Sequence, residues 1–254
     1  MGKRSVLGNS EYTKFLVIGG RSPIALAIAN RLVDEGEVVL CTRKIDAEIQ
    51  KIISQDVVLF ESDITKLFDS KVITSPTLKD INCVIFVHRY RGDPEDLEAA
   101  FQCEVFGPLN LIQKIRDSDN SGALRTVLFF TSPAAERIVG DQPLSYHLTK
   151  AAVSQLIKFL SVKYAKDRIS VVGVSPGSFV MKARSEKFYK KNRALKIGIE
   201  SKIPSGAFIT PEEIAELVSF AATSKQLSLS GNILNLDHGL GLLENSSFIR
   251  EIFQ

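Results

Sequence analysis

Tyr146-His147-Leu148-Thr149-Lys150 places a phenol and a cation four residues apart, and Ser132 adds a hydroxyl fourteen residues before the tyrosine. A phenol with an unperturbed pKa of ~10 exchanges protons poorly at neutral pH unless a neighbouring positive charge favours its ionised form. Residues i and i+4 share a helix face, so Lys150 can stand beside Tyr146 and supply that charge. The tyrosine can then trade a proton with an alcohol or carbonyl oxygen while Ser132 hydrogen-bonds the same oxygen. Tyr-x-x-x-Lys alone is common on solvated helix faces. Its meaning depends on the elements that position it.

Those elements follow from apolar runs alternating with amphipathic stretches. Phe15–Ile18 predicts a strand, Gly19-Gly20-Arg21-Ser22 a turn, and Pro23 to Asp34 a helix with Ser22 as N-cap and proline at its first position. Val38–Cys41, Val57–Phe60, Val84–Val87, Val127–Phe130 and Val171–Val174 predict five further strands. They are short, β-branched and apolar on both faces, as strands buried between two helical layers are. A long helix is predicted over 94–118, with Leu97, Phe101, Val105, Ile112 and Ile115 at helical spacing, and another over 146–166. Repeated β-α units imply an α/β fold with a doubly wound parallel sheet and right-handed crossovers. With no Pro/Gly/Ser-rich linker and no internal repeat, a polar tail over 1–12 and a single domain over 13–254 are expected.

Composition narrows the function classes. The chain of 254 residues is 44% hydrophobic and 24% charged, ordinary values for a soluble globular protein. A net charge of +3 without an aromatic-interleaved basic stripe gives no case for nucleic acid. No apolar run approaches the ~20 residues of a membrane span, and Met1 to Ser5 lack an apolar signal-peptide core. Val6 stands where a myristoylation site at Gly2 would need a hydroxyl. Cys41, Cys83 and Cys103 have no metal-like spacing and are expected in the core, which suits a reducing, cytoplasmic compartment. No metal site is expected.

Ligands in such sheets bind beyond the carboxyl ends of the strands, so Val17 to Ala25 lies where a phosphate-binding turn belongs. Gly19 permits a tight turn, and the next helix N-terminus offers free N–H groups to a pyrophosphate. A turn that merely connects two elements accounts for the same residues. The second strand ends in Thr42-Arg43-Lys44, where an acidic residue would accept the ribose hydroxyls of NAD. Basic residues instead suit the 2′-phosphate of NADP, so NADP(H) is the expected preference with NAD(H) still open. Asp63 could accept from the adenine amino group or cap the next helix.

Assembled in this order, the motifs resemble the classical short-chain dehydrogenase/reductase family over residues 14–240. The resemblance rests on Gly19 to Ala25, Asp63-Ile64, Ser132, Tyr146-x-x-x-Lys150, Ser175-Pro176-Gly177, Ile203-Pro-Ser-Gly, Pro211 to Ala215, and Ser230 to Gly239. It implies a Rossmann-type sheet of seven strands in the order 3-2-1-4-5-6-7 and hydride exchange between a nicotinamide dinucleotide and an alcohol or carbonyl. Ser132, Tyr146 and Lys150 would be catalytic, with Tyr146 and Lys150 also touching the cofactor. Gly19, Arg21, Ser22, Ile24, Arg43, Lys44, Asp63, Ile64, His88, Pro176, Gly177 and Phe179 would complete the cofactor site. The family's enoyl reductase branch places its lysine seven residues after the tyrosine, so the spacing here favours C=O over C=C reduction. By the same resemblance, helices 94–118 and 146–166 would form a subunit contact in a homodimer or homotetramer.

The chain also departs from the family's pattern. Pro23 and Ala25 replace glycines of the cofactor turn, His88-Arg89-Tyr90-Arg91 replaces Asn-Asn-Ala-Gly, and Glu104 replaces the asparagine that orders a relay water near the lysine. Glutamate there could hold that water or pair with Lys150. A lid is expected around 178–210. Residues 182–202 carry eight lysines and arginines against Glu186 and Glu200. That run is either a solvated helix face or an attraction for an anionic or carrier-bound substrate. His147 is expected at the surface or a subunit contact, and His238 has no assignable chemistry. The expected function is reduction of a small-molecule ketone or oxidation of the secondary alcohol. A non-catalytic binding or regulatory protein of the same fold is the alternative that Arg89, Arg91 and Glu104 raise.

Overall fold

The computed structural model describes residues 13–65, 76–118, 122–177, 179–224 and 227–244. The expected polar tail over 1–12 and the end of the expected domain, 245–254, lie outside them. The strands are β1 Thr13–Ile18, β2 Gly36–Thr42, β3 Val57–Glu61, β4 Cys83–Phe86, β5 Thr126–Phe130, β6 Ser170–Pro176 and β7 Ile233–Leu236. They form one parallel sheet in the order β3-β2-β1-β4-β5-β6-β7. This is the expected sheet. The chain reverses direction of winding between β1 and β4, which opens a crevice at their carboxyl ends.

Alternation along the strands divides the core. Phe15, Val17, Val38, Leu40 and Ile85 face one layer, where α1 (Pro23–Leu32), α2 (Ala47–Ile52) and the late helix Pro211–Thr223 pack. Leu16, Ile18, Val39, Val84 and Phe86 face the other, against the helices of the chain's middle. Each large apolar side chain so buried contributes about 1.5–3 kcal/mol. Parallel strands need both faces covered, and the five inner strands have them. The edges depart from this: Val58 on β3 is exposed, and β7 is only partly covered, because an edge strand has a neighbour on one side alone.

The long helix expected over 94–118 differs from the structure in two ways. It begins only at Leu97, where the Asp96 carboxylate accepts from the Ala99 amide as N-cap. It is also broken into α3 (Leu97–Phe101), a π-helical turn (Gln102–Phe106) and α4 (Gly107–Ser118). Pro108 explains the break, since it cannot donate to the Glu104 carbonyl and its ring would crowd that oxygen. The Gly107 amide instead bonds the Gln102 carbonyl, five residues back. Gly107 itself is needed, because a Cβ there would lie 2.6 Å from the Ile64 carbonyl oxygen. The next helix, α5, runs Leu144–Lys163, starting before Tyr146 and stopping short of Lys166. After β6 come α6 (Ala183–Lys191), α7 (Arg193–Glu200) and α8 (Pro211–Thr223), the last opened by a Thr210–Glu213 capping box.

Candidate active site

The turn after β1 is fixed by its neighbours. The Gly20 amide donates to the Cys41 carbonyl (3.0 Å) and the Ser22 amide to the Gly19 carbonyl (3.2 Å). A Cβ on Gly19 would lie 2.8 Å from that of Ala25 and 3.0 Å from that of Val87, so the bare backbone lets α1 meet β4. Gly20 has φ +54°, a conformation that glycine adopts without steric cost. Ser22 makes no side-chain cap bond at the start of α1, which leaves its hydroxyl and first-turn amides open to an anion. Ile24 is buried below the turn. Arg21 is held by Asp46 (2.5 Å) and Glu48, bracing the turn against α2.

Arg43 and Lys44 stand exposed at the end of β2, and neither has an ion-pair partner among the described residues. Asp63 accepts from the Thr65 amide (3.0 Å) and hydroxyl (2.8 Å), all through Oδ1. The helix it might otherwise cap would fall in residues 66–75, outside the described residues. Ile64 is buried beside Gly107. On the other side of the cleft the Gly177 amide donates to the Leu236 carbonyl (2.7 Å), and a Cβ on Gly177 would meet that of Asp237 at 2.8 Å. Pro176 ends β6, and Phe179 packs edge-on against Phe208 at 5.9 Å between ring centres. Val180 and Ile209 form an isolated parallel bridge between the two ends of the segment expected to be a lid.

α5 carries Tyr146 and Lys150 one turn apart, with the lysine Nζ 5.6 Å from the tyrosine ring centre. The tyrosine hydroxyl has no hydrogen-bond partner among the described residues. Ser132 follows β5 and caps a short 3-10 turn, accepting from the Ala134 amide at 3.2 Å. That bond uses an oxygen lone pair and leaves the hydroxyl proton to donate elsewhere. His147, expected at the surface or a subunit contact, is half-exposed and also makes two hydrogen bonds within the chain. Its Nε2 accepts from the Val139 amide (2.9 Å), so Nδ1 carries the proton and donates to Pro143 (2.9 Å). The imidazole thereby ties the loop that carries Ser132 to the helix that carries Tyr146.

Lys150 is buried, and it is not free. Its Nζ donates to the Phe130 carbonyl (3.1 Å) and lies 2.6 Å from Glu104 Oε2. Both side chains are withdrawn from solvent, at 4% and 2% exposure, and Glu104 Oε1 accepts from the Tyr90 amide at 3.0 Å. Of the two possibilities open for Glu104, the direct pair with Lys150 is the one observed. The π-helical turn is what aims the glutamate inward, where an unbroken helix would advance it by a different angle.

The loop after β4 divides its side chains. His88 turns its ring into the core, Nε2 donating to the Cys103 carbonyl (3.0 Å) while Nδ1 is buried without a partner. Burial holds this imidazole below its usual pKa range, with the Cys103 bond and Glu104 opposing. Arg89 instead lies over Tyr146, its Cζ 5.4 Å from the ring centre. A cavity of about 300 Å³ opens here, bounded by Arg89, Arg91, Gln142, Pro143 and Tyr146 among others. Sequence reasoning read Arg89 and Arg91 only as bulk and did not see that they face the tyrosine. His238, which had no role, takes φ +53° and bridges the loop at Ser205 to α8, with Nδ1 near Ser205 Oγ (2.8 Å) and Nε2 3.3 Å from Glu213. The three cysteines are buried and unpaired, as expected, and burial pushes the Cys41 thiol up to about 12.

Comparison with known proteins bears on the family and the fold. A family model described as enoyl-(acyl carrier protein) reductase matches residues 19–241. A tropinone reductase homolog of Arabidopsis thaliana is 29% identical over 153 residues, 60% of this chain and 54% of that protein. The chain thus spans about half the length of the first such relatives it matches. The 3-oxoacyl-[acyl-carrier-protein] reductase MabA of Mycobacterium tuberculosis is 23% identical over 235 residues, 89% of this chain and 92% of its own. A crystal structure of a 3-oxoacyl-[acyl-carrier protein] reductase from Brucella melitensis with NAD has the same fold, with a TM-score of 0.73 and 20% identity over 93% of this chain and 100% of that one. With the family model covering most of its length, the chain belongs to the short-chain dehydrogenase/reductase family of oxidoreductases.

Proposed function

We propose that this protein is an NADP-preferring oxidoreductase that reduces a ketone, or oxidises the corresponding secondary alcohol, at Tyr146. The observation that carries the reading is the stacking of Lys150 behind Tyr146 on α5, 5.6 Å from the ring, with the Ser132 hydroxyl proton uncommitted. Tyr146 gives a proton to the carbonyl oxygen in reduction and takes one from the alcohol in oxidation. Ser132 donates to the same oxygen and stabilises the charge that develops on it. Lys150 would hold the nicotinamide ribose through the donor left beside Glu104 and the Phe130 carbonyl, and would favour the phenolate.

The cleft fits a nicotinamide dinucleotide. Gly19, Gly20 and Gly177 leave bare backbone where Cβ atoms would crowd, and Ser22 and the start of α1 offer donors to a pyrophosphate. Ile24, Asp63, Ile64 and the His88 backbone would border the adenosine half, and Pro176, Gly177 and Phe179 the carboxamide. Arg21 would reach a phosphate only by leaving Asp46 and Glu48. Such a cofactor supplies the hydride, and Arg43 with Lys44 suits the extra phosphate of NADP. The enoyl reductase description of the family model names a C=C substrate, whereas the four-residue Tyr–Lys spacing supports C=O.

The substrate is a small carbonyl compound or alcohol, or an acyl chain on a carrier such as the reductases from Mycobacterium and Brucella are named for. Leu148, Phe159 and Val162 leave an exposed apolar face on α5, which suits a homodimer or homotetramer. The buried cysteines suit a cytoplasmic location. The Lys150–Glu104 pair favours a second reading, a non-catalytic binding protein, because a neutralised lysine assists the tyrosine less. Melting the protein with NADPH and with NADH separates the two, since a ligand of the native state raises its apparent stability. A shift with NADPH, followed by ketone-dependent loss of its absorbance, supports the first reading. No shift and no turnover would remove it.

A further inference from the structure

Two arginines from one loop stand beside Tyr146, and a lysine from a second element carries a charge that both of them influence. Arg89 and Arg91 come from the loop after β4 and line the cavity of about 300 Å³ together with the tyrosine. Lys182 immediately precedes α6 at the root of the lid and is half-buried. The three sense one another. Burial first, then Arg89 and Arg91, hold the Lys182 ammonium below its usual pKa. Burial and Arg89 likewise lower Arg91, Tyr146 opposing and Arg43 adding to the effect.

Nothing described balances this charge. Among the described residues Arg91 and Lys182 have no ion-pair partner, and Arg89 reaches only the neutral Gln142 side chain, at 3.5 Å. Glu104 is the carboxylate on the cavity wall, and it is spent on Lys150 and the Tyr90 amide. Arg89 and Arg91 are exposed at the mouth of the cavity and Lys182 is half-buried, so their like charges favour a site holding an anion over an empty one, most strongly at low ionic strength. Two guanidinium forks suit the planar, two-oxygen edge of a carboxylate.

We propose that Arg89, Arg91 and Lys182 form a subsite for a carboxylate carried by the carbonyl substrate, so that the protein acts on oxo acids and hydroxy acids in preference to neutral ketones and alcohols. The inference rests on the oxidoreductase reading and names the substrate class of that site. The acid group takes no part in the proton or hydride transfer; it anchors the molecule so that its carbonyl lies at Tyr146 and Ser132. Because Lys182 belongs to the lid and the arginines to the body, a bound carboxylate also links the two.

The test uses matched pairs of neutral and anionic ketones with the full chain and NADPH: 3-oxobutanoate, 4-oxopentanoate and 5-oxohexanoate, each beside its methyl ester. At least one acid should exceed its ester in kcat/KM by about tenfold or more. In Arg91→Gln and in Lys182→Gln the acid-to-ester ratio should fall, by roughly 10- to 150-fold for each charge-assisted hydrogen bond removed, mainly through KM. Equal use of acids and esters, or a ratio unmoved by both substitutions, overturns the proposal. So does an Arg91→Gln variant that keeps the ratio and weakens NADPH instead, for the cations would then serve the cofactor's phosphates. A binding arm needs no turnover: pentanedioate should raise the melting midpoint of the parent, its dimethyl ester should not, and the effect should vanish in both variants. That result without any ketone reduction would uphold the subsite and remove the oxidoreductase reading. Its absence alongside ester reduction would do the reverse.

Discussion

Glu104→Gln separates the two things that the buried pair does. Glutamine keeps the volume, and its carbonyl can still accept from the Tyr90 amide. Its NH2 group then faces the Lys150 ammonium where a carboxylate oxygen now lies at 2.6 Å, donor against donor. Removing one partner of a buried pair costs about 3–5 kcal/mol, because the other charge is left uncompensated. At roughly 2–4 °C per kcal/mol for a domain of this size, the melting midpoint should drop by about 6–20 °C.

The chemistry should respond in the opposite sense. At an effective dielectric of about 20, a unit charge at the 5.6 Å between Lys150 Nζ and the Tyr146 ring centre is worth ~3 kcal/mol. The carboxylate 2.6 Å from that ammonium opposes it with an energy of the same order. Its removal returns most of that to the phenolate, less what water screens at a half-buried ring. The basic limb of the kcat/KM profile should therefore move to lower pH, with turnover kept or raised. The assay is kcat/KM between about pH 5 and 10 with a ketone from the substrate screen, run beside thermal melts. A variant matching the parent in both melting and pH profile would refute the pairing. One that melts lower, keeps its limb and loses turnover would show Glu104 carrying the proton instead of restraining the lysine.

Three further outcomes are expected. Tyr146→Phe keeps the ring and removes the proton donor, so turnover should fall by roughly 10²-fold or more with melting unchanged; near-parent rates would exclude the tyrosine from the chemistry. Arg43→Ala should weaken NADPH by about 10- to 150-fold and NADH far less, as removal of a charge-assisted hydrogen bond of ~1.5–3 kcal/mol requires; equal losses in isothermal titrations would place Arg43 in solvent. Burial depresses the His88 pKa, so the unfolded chain takes up the proton first as pH falls through ~6.5, and native stability declines from there downward. His88→Asn should flatten the fall in melting midpoint between about pH 7 and 5.5, and an undiminished slope would assign that fall to other groups.

The fold was legible because its signals are local and repeated. Six apolar, β-branched runs each lie within a few residues of an observed strand, and Ser22-Pro23 marked the start of α1 where it begins. β7 was legible only by family likeness, since Ile233-Leu-Asn-Leu236 is an edge strand with a polar residue in its middle and carries little hydrophobic signal. Tyr146 and Lys150 were placed correctly by helical spacing alone. The partners of the side chains were not, because pairing depends on residues distant in sequence. Nothing around Arg21 announces Asp46 and Glu48, and nothing around His147 announces that Val139 will donate to its ring.

Glu104 is the case where the missing information was in the sequence and used incompletely. Periodicity over 94–118 predicts an unbroken helix, because apolar spacing averages over several turns and is blind to one extra residue. Gly107-Pro108 is a local signal against it: proline inside a helix removes the bond to the carbonyl four residues back, and here that carbonyl belongs to Glu104. The turn widens, the Gly107 amide finds Gln102 instead, and the glutamate swings to Lys150. The consequence reaches the tyrosine. Of the two cations within 6 Å of its ring centre, Lys150 shares its charge with a buried carboxylate, while Arg89 faces no acid among the described residues. The electrostatic environment of Tyr146 is therefore set jointly by the two segments that depart from the family pattern, and substitution in either should be read through the other.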